Sequence, residues 1–366
     1  MKQVFKKWQE QYFGNEEAVL LALMLAVLLV VASTLGAVLG PVFTAMILAF
    51  LLQGLVNSLS RRGVPMGLAI TIAFALFFVG FVSVLVVLIP IVGRQTSLFV
   101  SELPNMLGRL RELLVSLPEK YAEYVSPEQF RIIVARASEE AAGLAEQILS
   151  LSLSSFPSLF GVLLYLFLVP MLVFFMLKDK DILISFVSDL LPRERSVMTR
   201  IWSEMDIQFA NYIRGKAIEI LIVGAVSYVA FLILGLNYAA LLALLVGLSV
   251  LIPYIGATVV TLPVLLVGYM QWGYSADFLW LFLVYGVIQF LDGNLLVPLL
   301  FSEVVNLHPV AIIVAVLFFG GIWGFWGVFF AIPLATLVKA VYNAWPRKEF
   351  VEQEAEAASI DVDDQS

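Results

Sequence analysis

Five stretches of this chain contain no Asp, Glu, Lys or Arg: residues 18–60, 63–93, 147–177, 220–276 and 304–338. About 20 apolar residues are enough to cross a bilayer, so each stretch has room for at least one span. Hydrophobic residues make up 61% of the chain and charged ones 13%. An ordinary soluble protein is about 45–50% apolar and about a quarter charged, so that class is excluded. The fold expected is an all-α polytopic membrane protein with about eight transmembrane helices.

The net charge of −7 belongs to one end of the chain. Glu349, Glu352, Glu354, Glu356, Asp361, Asp363 and Asp364 fall in the last 18 residues with no base among them. The remainder balances, so no clustered basic surface is available for nucleic acid. With no cysteine and one histidine, His308, there are no disulfides, thiolate zinc sites or multi-His metal sites. No metal and no cofactor is expected. Lys2, Lys6 and Lys7 precede the first apolar run without an evident small-residue cleavage site, so that run reads as a retained span.

Gly36, Gly40 and Pro41 divide the first run into expected spans at 17–37 and 41–59. Further spans fall near 65–92, 157–177, 217–235, 278–291 and 309–340. Residues 239–270 are one broken span or a re-entrant hairpin, with Pro253-Tyr254-Ile255-Gly256 as the interruption. Short cytoplasmic loops are enriched in Lys and Arg. This places both termini, Arg61-Arg62 and residues 178–216 inside, and the base-free loops near 36–40, 236–238 and 297–308 outside. The organisation expected is spans 1–3 over 1–93, an extramembrane helical hairpin over 94–156, and span 4 over 157–178. A cytoplasmic loop and interfacial helix follow over 179–216, a transport core over 217–346, and a disordered acidic tail over 347–366. The hairpin rests on heptad-like seams: Phe99, Leu103, Met106, Leu110, Leu113 and Leu117, then Phe130, Val134, Ala137, Ala141, Leu144 and Ile148.

Catalytic signatures are missing. There is no GxxxxGK phosphate loop, no HExxH and no GxSxG elbow, so no catalytic residue is assigned and no ATP hydrolysis by that route. Interrupted helices carry more information, because freed backbone groups survive at membrane depth only inside protein or beside water, and transporters use them as substrate sites. Three interruptions fall in the last third: Pro253–Gly256 with Pro263, Asp292-Gly293-Asn294 with Pro298, and Gly320-Gly321 through Pro333. The candidate pathway residues are Pro253, Tyr254, Gly256, Thr258, Gln289, Asp292, Asn294 and Pro298. A carboxylate at membrane depth ordinarily has a partner and a role, although Asp292 could equally cap a loop at a span end. Lys216 and Glu219, at the entry to span 5, read as a local i,i+3 pair at the interface in preference to a proton relay. Gly320, Gly324 and Gly327, with Pro333, read as close helix packing.

Several of these stretches resemble the AI-2E (autoinducer-2 exporter) family of bacterial permeases. They are Tyr212-Ile213-Arg214-Gly215-Lys216, Leu251-Ile252-Pro253-Tyr254-Ile255-Gly256, and Asp292-Gly293-Asn294-Leu295-Leu296-Val297-Pro298. Asn306-Leu307-His308-Pro309 and Gly324-Phe325-Trp326-Gly327, running on to Ala331-Ile332-Pro333, complete the set. The resemblance implies an inner-membrane permease of about eight spans, assembling as a homo-oligomer, plausibly a pentamer. It implies export of the quorum-sensing signal autoinducer-2 or sodium/proton antiport. A third class remains open, a non-transporting scaffold binding envelope partners through 94–156. Besides the lipid bilayer, the expected partner is a small-molecule or ion substrate.

Overall fold

A computed structural model describes residues 16–120, 136, 143, 159–189, 196–253, 255–301 and 307–344. Lys2, Lys6, Lys7, the 130–148 seam, Tyr254, Glu303 and the acidic tail lie outside the described residues. Among the described residues every regular element is helical and none is a strand. In chain order they are α1 (Glu16–Arg61), α2 (Met66–Ser83), a π-helical turn (Val84–Leu88) and α3 (Ile89–Lys120). Then come α4 (Leu159–Lys178), α5 (Lys180–Asp189), α6 (Ser196–Leu234), α7 (Ala239–Ser249), α8 (Ile255–Trp272) and α9 (Ala276–Leu291). A second π-helical turn (Asp292–Leu296) leads into α10 (Val297–Phe301), followed by α11 (Pro309–Trp323), α12 (Phe325–Phe329) and α13 (Ala331–Ala344).

Among the described residues, six helical stretches are long and apolar enough to cross a membrane: Val38–Arg61, Met66–Met106, Gly161–Lys178, Ile201–Leu234, Ile255–Trp272 and Ala276–Phe301. The expected eight are not all present as separate helices. The first two are one helix: α1 runs 46 residues through Gly36, Gly40 and Pro41 without a break. At 1.5 Å per residue that is about 69 Å. The last expected span is instead three short helices, α11, α12 and α13. The 196–214 stretch and span 5 are likewise a single helix, α6.

A second departure is at Asp292–Pro298, where a break was expected and the helix widens instead. Val297 N–H donates to the carbonyl of Asp292, five residues back. Proline lacks the N–H and crowds the carbonyl four residues before it, and one wider turn accommodates that ring. The first π turn obeys the same rule. Ile89 N–H bonds Val84 and Pro90 follows, the same two residues after the turn as Pro298. Such turns recur at functional sites.

The chain forms two compact units. One comprises 1–51, 172–217 and 298–366. Its described core is aromatic: Phe43, Phe209, Tyr212, Phe301, Trp326, Phe329 and Phe330 make a run of ring contacts 4.8–6.2 Å apart. Ile201, Met205 and Ala340 form a second patch in it. The other comprises 52–171 and 218–297, with a core of Val223, Phe231, Leu242, Val246, Val260, Val264, Leu281 and Tyr285. Met106 joins that core, Phe99 packs edge-on to Tyr238 at 5.5 Å, and Leu103 is buried. The described start of the 99–117 seam therefore packs on the 235–246 segment of its own unit.

Candidate functional site

Residues 239–272 fold back on themselves. Gln271, near the end of α8, accepts a hydrogen bond from Asn237 N–H and donates one to the Gly235 carbonyl, both at 2.8 Å. That contact joins the end of α8 to the residues just before α7, so the two arms are antiparallel and the segment is a helical hairpin. The side-chain oxygen of Gln95, on α3, accepts from Leu241 N–H at 2.9 Å, satisfying one of the open donors in the first turn of α7.

The hairpin tip is built by Pro253 and Gly256. Pro253 cannot donate to continue α7, and the chain turns through Leu251 N–H to Leu248, Ile252 N–H to Ser249 and Gly256 N–H to Ile252. A Cβ at Gly256 would collide with the Ser249 carbonyl, so the tip closes only around glycine. Pro253 is half-buried and Thr258 exposed.

α8 returns along α9. Thr261 Oγ1 and Tyr285 OH share a hydrogen bond at 3.1 Å, Tyr269 and Phe278 meet edge-on at 5.6 Å, and Gly268 faces the Leu281 side chain. These pairings descend in antiparallel register, so the beginning of α8 lies level with the end of α9. Pro253, Gly256 and Thr258 therefore share a level with Gln289, Asp292 and Asn294. Gln289 and Asp292 are half-buried; Asn294 is exposed, its amide donating to the Phe290 carbonyl at 3.0 Å. Pro298 acts through the π turn it imposes.

The other unit contains a second interrupted pair. α11 ends at Gly324, whose φ of 57° and ψ of −130° only glycine adopts without strain. α13 then packs back on α11. A Cβ at Gly327 would collide with the Phe319 carbonyl, and one at Gly320 would lie 2.8 Å from Val328 Cγ2. Gly320 and Gly327 therefore pack within this pair, whereas Gly324 works through its dihedral angles. Pro333 sits in the first turn of α13, where its missing N–H costs nothing. His308 caps α11, its Nδ1 accepting from Val310 N–H at 3.3 Å. No group of three metal-ligating side chains occurs among the described residues.

Sequence reading missed the Gln271 clamp and the buried face of α6. Tyr212 donates to the Phe329 carbonyl at 2.8 Å, Lys216 Nζ lies 5.1 Å from the Phe301 ring centre, and both are buried. A helical wheel of 212–227 would have shown polar residues gathered on one side.

Apolar helices long enough to cross a membrane, together with helices that turn back partway, define a multi-pass membrane transporter. The chain belongs to the AI-2E transporter family, whose model matches residues 19–347. It is 41% identical over 285 residues to a protein of Escherichia coli (strain K12) that carries the name permease PerM, covering 77% of this chain and 81% of that one. It is 28% identical over 286 residues to the transport protein YueF of Bacillus subtilis (strain 168), covering 76% of each. An archaeal transport protein, from Archaeoglobus fulgidus, is 23% identical over 258 residues, covering 70% of this chain and 72% of that one.

Proposed function

We propose that the chain is a bacterial inner-membrane permease that moves a small polar solute past the level shared by the first hairpin tip and the end of α9. The observation that carries this is the antiparallel register of α8 on α9. It sets the backbone of the Pro253–Gly256 turn beside the Asp292 turn, at the one depth where helix interruption supplies polar groups. The solute class is a neutral polyhydroxylated molecule of the autoinducer-2 kind, which ties the function to quorum sensing. Hydrogen-bonding groups (Thr258, Gln289, Asn294, with Tyr254 in the same turn) suffice for it, and no nucleotide or metal is required. The Asp292 carboxylate favours a second reading, sodium/proton antiport. The family resemblance supports a homo-oligomer, with a pentamer as the form to test.

Chain direction gives a topology. With Arg61-Arg62 and the bases of 178–216 cytoplasmic, α2–α3, α4, α6 and α9–α10 each cross once, while the two folded-back segments do not. This keeps the end of α13 on the cytoplasmic side and moves Leu307 and His308 to that face as well.

The test is flux of radiolabelled autoinducer-2 and of sodium in proteoliposomes, for the unaltered chain and for Asp292→Asn and Asn294→Leu. A neutral solute predicts a larger loss in Asn294→Leu; cation antiport predicts abolished flux in Asp292→Asn. Unchanged flux in both variants refutes the site.

A further inference from the structure

Between residues 212 and 227, one buried stripe of α6 gathers polar side chains. At 100° per residue, Tyr212, Lys216, Glu219, Val223 and Ser227 fall within about 80° of one another. Their exposures are 1%, 4%, 2%, 3% and 0%. Ile218, Leu221, Ile222 and Val229, turned away from that stripe, are all exposed, as lipid-facing side chains of a span are. Four of the five residues on the inward face carry a polar or charged group. Intramembrane ionisable residues are retained for ion and proton traffic more than for stability, and replacing a buried ion pair by packed hydrocarbon is often stabilising.

Ser227 separates a structural stripe from a working one. A hydroxyl inside a helix ordinarily closes on the carbonyl four residues back. Thr34, Thr44, Thr71, Ser83, Thr96, Thr261 and Thr336 all do so, at 2.7–3.0 Å. Ser227 does not. It is fully buried and its Oγ has no hydrogen-bond partner among the described residues. Two turns separate it from Glu219, and beyond it Phe231 packs on Tyr285, the hydroxyl already bonded to Thr261. Glu219 and Ser227 thus lie on one buried stripe of α6, about 12 Å apart along the helix, in a core that is otherwise largely hydrocarbon.

We propose that this face is the proton path of the transport cycle and that Glu219 is the residue that carries the proton. The inference rests on the transport reading above. The step is a proton exchange: an Oε–H bond forms on the carboxylate as an O–H bond of hydronium breaks, and release on the other face reverses it. No electrons move. Lys216 is the charge nearest Glu219 along its own helix. Of the elements packed on α6, α7 carries no titratable group and α9 presents Tyr285, with Asp277 and Asp292 at its two ends. α8 contributes Tyr269, and α3 contributes Arg94, Glu102 and Arg109.

The test is infrared difference spectroscopy of the full chain in proteoliposomes, titrated with the proton itself. The unaltered protein should show a carboxylic C=O band that grows in as the pH is lowered. Glu219→Gln should lose that band, and Glu219→Asp should keep it at a shifted frequency, which guards against a variant that fails to fold. Ser227→Ala should slow proton uptake measured with an internal pH dye; a merely structural serine would leave it unchanged. A band that survives in Glu219→Gln, or no titrating band at all, overturns the proposal. This readout needs no solute. Flux of autoinducer-2 or sodium without the band refutes the proton path alone, and the band without any flux refutes the transport reading.

Discussion

A close backbone approach between α6 and α7 gives an asymmetric prediction. Gly224 on α6 and Gly247 on α7 face each other, but a methyl group is not equally welcome on the two sides. A Cβ at Gly247 would lie 3.0 Å from Gly224 Cα, 3.1 Å from the Ile220 carbonyl oxygen and 3.3 Å from Gly224 N. All three are backbone atoms that cannot swing aside. A Cβ at Gly224 would meet Gly247 Cα at 3.6 Å and the Ala243 oxygen at 3.7 Å, which is ordinary contact. Overpacking of this kind costs about 1–3 kcal/mol, whereas alanine gains about 0.5–1 kcal/mol over glycine inside a helix. Gly247→Ala is therefore destabilising by roughly 1–2 kcal/mol once the two are combined, and Gly224→Ala stabilising by about 0.5–1 kcal/mol. At about 2–4 °C per kcal/mol, the two melting temperatures should differ by roughly 3–12 °C. Thermal unfolding of the detergent-solubilised variants, followed by tryptophan fluorescence, measures this. If Gly224→Ala melts at or below Gly247→Ala, the close approach is not the one described.

Two further outcomes follow from the hairpin. Gln271→Leu removes both hydrogen bonds that close the hairpin base, a loss of about 1–3 kcal/mol, and should raise hydrogen exchange at Asn237 and Leu241 while the α8–α9 pairing stays protected; unchanged exchange would mean that apolar packing alone closes the base. With an impermeant thiol reagent on spheroplasts, a single cysteine at Ser116 should label and those at Ser60 and Leu307 should not. Labelling at Leu307 would refute the folded-back geometry of α7–α8.

Apolar runs are legible because lipid imposes one rule on every residue in them, and the helices at 66–83, 159–178 and 276–291 follow directly. Interruptions are harder to read, since a proline or glycine has several local outcomes. Pro253 ends a helix, Pro298 widens one and Pro41 does neither; the neighbours decide, and they are distant in sequence. The hairpin could be posed as an alternative but not chosen, because the deciding contact joins Gln271 to residues 34–36 positions earlier. Asp292 stood out on charge alone. Glu219 did not, because its burial depends on what α7 and α9 place against α6, and a carboxylate three residues from a lysine looks the same on a surface as in a core.

The two arms of the first hairpin are unequal, and the shorter one acts as a depth gauge. α7 has 11 residues, about 16 Å of helix, and it starts five residues after the membrane-crossing part of α6 ends at Leu234. In a hydrocarbon layer about 30 Å thick, the turn at its far end stops near the midplane. Gln95 and Gln271 hold the near end, so that depth is set by residue count and not by how the bilayer thins or thickens around the protein. Each added or deleted helical turn would shift the Pro253 turn by about 5.4 Å, past the level of Asp292 and out of register with it. The length of α7 is thus as much a part of the site as any side chain in it.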